Sequence, residues 1–247
     1  MRNRLFCSTI VGLVGLVFAS VLAPVLAPVL LAQTEAGKKL PVGPLPGLTG
    51  IWQRLNERGE NYAFTKDPIP MQPWAEEAYN YNKGPGPDRY GRPELDPVRN
   101  CYPPGLSRMY FIPYPIEIIQ LPGRVLMLFE WDHWVRQIWT DGRGHNEGYS
   151  PTWMGDSIGH WDGETLVVDT VGLSSKSWLT EAGHVHSDAL HITERMRRLN
   201  HETLEIRLTF DDPKAYTRPW EGAKRFELLP GISVMEDVVC EDKLLQE

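Results

Sequence analysis

Residues 130–194 concentrate the side chains that could carry chemistry. They contain six of the seven histidines, and five of the nine tryptophans lie between positions 131 and 161. Imidazole titrates near neutral pH, and a carboxylate in apolar surroundings can give or take a proton there. The pattern predicts general acid–base catalysis of the lyase, isomerase or hydrolase type. The candidate catalytic residues are His145, His186, Glu130, Asp169, Arg136, Asp156 and Glu194.

Each role in this scheme follows from the residue type. His145 or His186 acts as the base. Asp169 or Glu130 orients that imidazole, and Arg136 balances the developing charge. The contrasting hypothesis is a non-catalytic protein that binds a small molecule or a carbohydrate.

Strand phase indicates which polar side chains point into a barrel lumen. Glu130 shares the phase of the leucines at 126 and 128, and Glu194 shares that of the apolar residues at 190 and 192. Asp169 has apolar neighbours, and Arg136 is a fourth lumen candidate. Because buried carboxylates need partners, the structural alternative pairs Glu130 or Asp169 with Arg136 or Arg195.

The segment His184-Val-His186 supports a second interpretation, a metal site. Alternate residues of an extended segment face the same way, and Asp188 and His191 follow closely. Two imidazoles and an acid are an acceptable set for zinc, iron or copper. Apart from this alternative, the sequence predicts no cofactor.

A serine nucleophile is a third interpretation. Gly155-Asp-Ser157-Ile-Gly159 matches the pattern Gly-x-Ser-x-Gly. That motif requires a strand–turn–helix context, whereas a strand of a meander follows here. The glycines are better explained by a tight bend before the strand.

Aromatic side chains in this region predict ligand binding. Tryptophan and tyrosine at a barrel mouth can stack on a small apolar or aromatic molecule, or on a sugar. The candidate ligand-binding residues are Trp153, Trp161, Trp178, Ser157 and Tyr149.

Short β-rich runs separated by turn signals must position these residues. The runs cover 112–121, 124–131, 135–140, 157–162, 165–171, 189–199, 203–211, 223–229 and 233–240. They predict an all-β protein, an antiparallel up-and-down meander that closes as a barrel of about 8–10 strands. A β-sandwich is the alternative.

The chain before this meander is rich in proline and glycine. Residues 33–47 read as a linker, and 48–54 as a first strand of a single domain covering 48–247. Residues 55–111 hold many breakers and predict an irregular insert or lid with one short helix over 73–82.

Residues 1–32 have the pattern of a secretory signal peptide. Arg2 and Arg4 precede a long apolar run, and Ala32 is the expected cleavage position. An uncleaved membrane anchor is the alternative. Cleavage would give a periplasmic or secreted protein with no stable membrane span.

Export leaves two cysteines, Cys101 and Cys240. An even count in an oxidising compartment predicts a disulfide, which would pin the last strand to the segment before the meander. Two free buried thiols are the alternative.

The formal net charge is −7, and no basic stripe runs along the sequence. This balance argues against nucleic-acid binding and leaves a small molecule as the expected partner. The oligomeric state is left open.

Two resemblances accompany these patterns. Gly50-Ile-Trp52 on a first strand resembles the Gly-x-Trp signature of lipocalin-like barrels. Motifs spread over residues 100–241 resemble a large family of exported bacterial proteins without an established activity. They include Cys101-Tyr-Pro-Pro-Gly105, residues 136–145, 151–159 and 161–170, His186-Ser187, Glu194-Arg195, and residues 212–216 with Pro219-Trp220. This resemblance implies export and a barrel, and it nominates His145, Asp156, Ser157, Asp169, His186 and Glu194 for testing.

Overall fold

Nine strands close into a barrel in the order of the sequence. A computed structural model describes residues 47–55, 64–83, 91–148, 150–233 and 240. The strands are β1 Gly50–Arg54, β2 Ile116–Leu121, β3 Arg124–Phe129, β4 Val135–Trp139, β5 Asp156–Asp162, β6 Thr165–Val171, β7 His191–Arg198, β8 Thr203–Asp211 and β9 Trp220–Leu228. The predicted all-β barrel is confirmed. Within the described ranges, no helix combines the length and the apolar character that crossing a bilayer requires.

One strand pair departs from the predicted antiparallel meander. All neighbours pair antiparallel except β4 and β5, which run parallel through the pair Trp139↔Ile158. A ring with an odd number of strands cannot alternate direction all the way round, so one parallel pair is unavoidable. A parallel pair needs a connection that returns to the starting end of the sheet. Residues 140–155 make that connection.

The strands alternate between the lumen and the outer face, and their phase corrects two sequence expectations. In β6 the inward residues are Leu166, Val168 and Thr170, so Asp169 points outward. In β3 the inward set is residues 125, 127 and 129, and Glu130 follows the end of that strand. Apolar residues occupy both faces of β3 and β6, and the hydrophobic pattern therefore did not distinguish the two phases.

Segments before β2 close one end of the barrel. The described helices are α1 Pro73–Lys83, a 3₁₀ turn Pro97–Asn100 and α2 Leu106–Met109. α1 confirms the predicted helix over 73–82, and α2 is a second, short helix. Phe64, Tyr110 and Phe111 are buried, and the rings of Phe64 and Phe111 lie 4.6 Å apart in an edge-to-face contact. A Cβ at Gly222 would overlap Phe64, so glycine is required where this segment crosses β9.

The centre of the lumen holds a buried ion pair. Arg136 Nη2 contacts Glu194 Oε2, Nη1 lies 3.1 Å from Glu194 Oε1, and both residues are at most 1% exposed. The Tyr110 hydroxyl donates to Glu194 Oε1 at 2.6 Å and accepts from Arg136 Nη1 at 2.9 Å. Arg136 Nη2 also donates to Ser157 Oγ at 3.1 Å and to Thr170 Oγ1 at 3.0 Å. Arg136 and Glu194 therefore point inward as predicted, but they pair with each other rather than with the partners proposed from the sequence.

A second buried ion pair ties the segment before β2 to the β6–β7 connection. Arg108 on α2 lies 3.0 Å from Asp96 and 3.0 Å from Glu181. Burial raises the pKa of the Glu181 carboxyl although the charge of Arg108 opposes that shift. These contacts, together with Asn82 Nδ2 donating to Gly183 O at 2.9 Å, hold the insert against the barrel.

Cys101 and Cys240 lie at disulfide distance, with their Cα atoms 5.5 Å apart. Cys101 adopts a left-handed backbone conformation at the end of the 3₁₀ turn, with φ 56°. Cys240 is helical rather than part of the strand expected over 233–240, and residues 234–239 lie outside the described part of the chain.

The bridge is expected to stabilise the protein substantially. It spans a sequence separation of 139 residues, for which the chain-entropy model gives about 4–5 kcal/mol. The double variant Cys101→Ser/Cys240→Ser should lose that much unfolding free energy in urea. Titration of denatured, unreduced protein should detect neither of these thiols; two titratable thiols at these positions would contradict the bridge.

Candidate active site

Three polar residues line up across the outer face of neighbouring strands. Asp169 on β6 pairs with Ile158 on β5 and with Thr193 on β7. Asp156 and His191 lie two residues from those partners, so each is a diagonal neighbour of Asp169 on the same face. Diagonal neighbours are within reach of long side chains and of rings.

His145 comes from the β4–β5 connection and lies between the two carboxylates. Its Nδ1 is 3.0 Å from Asp156 Oδ2, and its Nε2 is 3.3 Å from Asp169 Oδ2. Asp169 Oδ1 in turn contacts His191 Nε2. We call Asp156, His145, Asp169 and His191 the outer-wall cluster.

Local contacts explain how the connection delivers His145. Arg143 pairs with Asp141 at 2.6 Å and stacks on the Trp139 ring, 3.6 Å from its centroid. Asn146 donates to Asp156 through its backbone N–H at 2.9 Å and through Nδ2 at 3.0 Å. Gly155 has φ +67°, and a Cβ there would lie 2.6 Å from Val171 O, so only glycine fits this bend.

Hydrogen bonds keep both carboxylates ionised. Partial burial raises the pKa of Asp156, but bonds from Asn146 and His145 outweigh that effect and hold the pKa below its ordinary value. Partial burial also opposes ionisation of Asp169, and bonds from His191 and His145 again lower its pKa. Because an ionised carboxylate only accepts, a proton on His145 Nδ1 makes the bond to Asp156 and a proton on Nε2 makes the bond to Asp169, so these contacts describe the charged imidazole.

A cleft of about 310 Å³ opens beside the cluster. Its lining residues are Asn146, Gly148, Ser150, Thr152, Gly155, Asp156, Val171 and Gly172. Asp156 therefore belongs both to the cluster and to the wall of the cleft. The Asp169 side chain is 41% exposed, so solvent reaches the far side of the cluster.

The structure brings together three of the predicted catalytic residues and separates the others. His145, Asp156 and Asp169 meet in the outer-wall cluster. Arg136 and Glu194 pair inside the lumen. Glu130 is half-buried beyond β3, where its backbone N–H donates to Pro115 O at 3.1 Å. His186 is buried in the β6–β7 connection.

The imidazoles of His184 and His186 are occupied by protein contacts. His184 Nδ1 lies 2.7 Å from Thr180 Oγ1, and its ring stacks on Tyr79 with centroids 4.1 Å apart. His186 Nε2 lies 3.1 Å from Ser177 Oγ, and its Nδ1 lies 2.9 Å from Ser187 O. In the described part of the chain, no group of three or more His, Cys, Asp or Glu side chains is arranged to hold a metal ion. The geometry therefore gives the metal interpretation no support.

The predicted ligand-binding residues do not gather at one site. Ser157 is buried in the lumen beside Arg136, and Trp178 is buried against Gly91. Trp161 is half-buried against the core, while the Trp153 ring lies 6.5 Å from that of Tyr102. Tyr149 lies outside the described residues, although its neighbours Gly148 and Ser150 line the cleft.

His191 and Asn146 are the functional candidates that sequence reasoning did not single out for catalysis. His191 alternates with the inward residues Ile192 and Glu194, so the phase of β7 alone places it outward. Register with β6 then sets it beside Asp169. Asn146 carries no comparable signal, because its role depends on the path of the loop.

Burial of His184 predicts a pH-dependent stability. Burial, aided by the charge of Lys83, lowers the pKa of His184 from 6.5 to about 3. Burial also lowers the pKa of His186. Below pH 6.5 the unfolded chain takes up a proton that the folded protein excludes. The free energy of unfolding therefore decreases as the pH is lowered. Replacing His184 with Gln should reduce that slope by up to about 1.4 kcal/mol per pH unit between pH 6 and 4.

Urea unfolding at several pH values measures this slope. His201→Gln is the matched control, because His201 is exposed in the β7–β8 hairpin. If plots of unfolding free energy against pH were parallel for the wild type and His184→Gln, His184 would not be held neutral by burial.

Comparisons with known proteins do not identify this site. No family model matches the chain. No curated protein matches it either. The resemblances read from its motifs stay predictions.

Proposed function

We propose that the protein is an exported enzyme that performs general acid–base catalysis at the outer-wall cluster. Its substrate is a small polar molecule held in the cleft beside Asp156. Hydrolysis is the reaction class that the open, solvated position of the cluster favours. The observation that carries the proposal is the position of His145 between two ionised carboxylates.

This arrangement prepares one imidazole nitrogen for proton transfer. Asp156 accepts the Nδ1 proton of His145 at 3.0 Å and fixes the tautomer. Loss of the Nε2 proton to solvent gives the neutral ring, whose lone pair is then on Nε2. Nε2 is 3.3 Å from Asp169, at the long end of hydrogen-bonding distances, so a substrate or a water molecule can compete for it.

The second carboxylate supports the charged form of the base. When His145 Nε2 removes a proton from an attacking water molecule, the ring becomes a cation between Asp156 and Asp169. Both carboxylates stabilise that cation, and the same proton then passes to the leaving group. His191 contacts the other oxygen of Asp169 and positions it.

The lining of the cleft indicates the substrate class. Asn146, Ser150, Thr152 and Asp156 offer amide, hydroxyl and carboxylate groups, and Val171 and the glycines add carbon surface. Such a mixed surface suits a small molecule that carries hydroxyl or amide groups on a partly apolar body. In the described residues the lumen centre is already filled by the Arg136–Glu194 network.

Export is the second part of the proposal. A disulfide persists in oxidising compartments, and Cys101 and Cys240 lie at disulfide distance. Together with the apolar run after Arg4, this favours a periplasmic or secreted location.

The experiment is a hydrolysis screen with matched variants. The wild type is assayed on nitrophenyl esters, glycosides and amides, and the best substrate is carried forward. His145→Gln and Asp169→Asn should each lower kcat by at least about 100-fold with little change in KM, because they remove proton transfer rather than binding.

Asp188→Asn is the control, since Asp188 is an exposed carboxylate paired with Lys214 away from the cleft. Wild-type kcat in His145→Gln would contradict the proposal. Saturable binding in the cleft without turnover of any compound would favour the non-catalytic binding protein instead.

A further inference from the structure

The outer face also carries four arginines on β7 and on the two strands that follow it. Arg195 and Arg197 lie on β7, Arg207 on β8 and Arg225 on β9. Each side chain is about half exposed. We call them the arginine face.

Two of these arginines are placed against each other. Arg195 and Arg207 are direct cross-strand partners in the β7–β8 register. Like charges directly opposite on one face of a sheet repel each other. Arg197 lies diagonally from Arg207, which adds a third positive group to the same area. The fold therefore maintains an unfavourable charge arrangement here.

Within the described residues, two carboxylates form ion pairs with these arginines. Glu205 is the partner of Arg197 and Arg225 in the register, and its side chain is 6% exposed. It lies 3.5–3.6 Å from the guanidinium nitrogens of Arg197, Arg207 and Arg225, beyond normal hydrogen-bond length. Asp162 pairs with Arg195 at 2.9 Å. Among the described ion pairs, Glu205 and Asp162 thus face the three guanidinium groups of Arg195, Arg197 and Arg207.

A cleft lies over this charge. It has a volume of about 230 Å³ and is lined by Thr165, Arg195, Arg197, Glu205 and Arg207. That is several times the ~30 Å³ that one water molecule occupies in the liquid. Guanidinium groups bind phosphate-like oxyanions through paired N–H donors, and the Thr165 hydroxyl adds one more donor.

We propose that the arginine face is a binding site for a tetrahedral oxyanion, a phosphate or sulfate group. The overall charge of −7 makes such local positive charge a specific feature rather than a consequence of composition. The site shares no residue with the outer-wall cluster, although Asp169 is a diagonal neighbour of Arg195 in the β6–β7 register. It does not depend on the proposed hydrolysis.

Thermal unfolding with added inorganic phosphate or sulfate tests the site. Low millimolar anion is compared with chloride at the same ionic strength. At ten times its Kd, the bound ion should raise Tm by about 4 °C. Arg207→Gln should lose this shift, while its Tm without the anion should stay equal to that of the wild type or rise, because the repulsion with Arg195 is removed.

Arg218→Gln is the matched control, since Arg218 is an exposed arginine outside the arginine face. It should retain the full anion-dependent shift. An equal shift in the wild type and Arg207→Gln, or no shift in the wild type, would overturn the proposal.

A second arm distinguishes the source of the oxyanion. The wild type is sedimented with phosphatidylglycerol vesicles and with phosphatidylcholine vesicles. Phosphate-dependent stabilisation with Arg207-dependent binding to phosphatidylglycerol would assign a lipid headgroup. Stabilisation without vesicle binding would assign a free or small-molecule oxyanion. Vesicle binding without any phosphate effect would show diffuse charge attraction and overturn the site.

Discussion

The buried ion pair between Arg136 and Glu194 is the interaction on which the rest of the structure depends. Two charges removed from water are costly unless they are paired and their remaining hydrogen-bonding groups are satisfied. Five elements supply what the pair needs: β4 and β7 carry Arg136 and Glu194, and Tyr110 next to α2, Ser157 on β5 and Thr170 on β6 complete the hydrogen bonds. The segment before β2 must therefore enter the barrel end for the pair to be complete. Burial lowers the pKa of Arg136, but the charges and hydrogen bonds of Glu194 and Tyr110 together outweigh burial and raise it, so the guanidinium stays charged.

This constraint explains why the proposed catalytic cluster lies outside the barrel. Buried core residues and the ion pair occupy the centre of the lumen. The outer wall, in contrast, carries polar residues that the fold does not need for its core. On β5, β6 and the start of β7 they form the outer-wall cluster next to a cleft, and on the rest of β7, β8 and β9 they form the arginine face. The parallel pairing of β4 with β5 is what brings His145 to the outer wall. A parallel pair requires a long crossover connection, and His145 lies on that connection.

Much of the barrel could be predicted from the alternation of apolar and polar residues and from turn residues. The wrong predictions have physical reasons. β7 and β8 have one clearly apolar face, which is why Glu194 was correctly placed inward. β3 and β6 are apolar on both faces, so the phases of Glu130 and Asp169 were ambiguous. The contact between His145 and Asp156 depends on a loop path that local patterns do not encode. The arginine face was hidden because its members are spread over three strands and become neighbours only through register.

The relative stability of two variants tests the central claim, that the lumen charges are structural and the wall charges serve the site. Glu194→Gln leaves the Arg136 charge buried without its counter-ion, so urea unfolding should show a loss of about 3–5 kcal/mol. Asp169→Asn changes a side chain that is 41% exposed, and the expected loss is below about 1 kcal/mol. A large loss for Asp169→Asn together with a negligible one for Glu194→Gln would contradict the account.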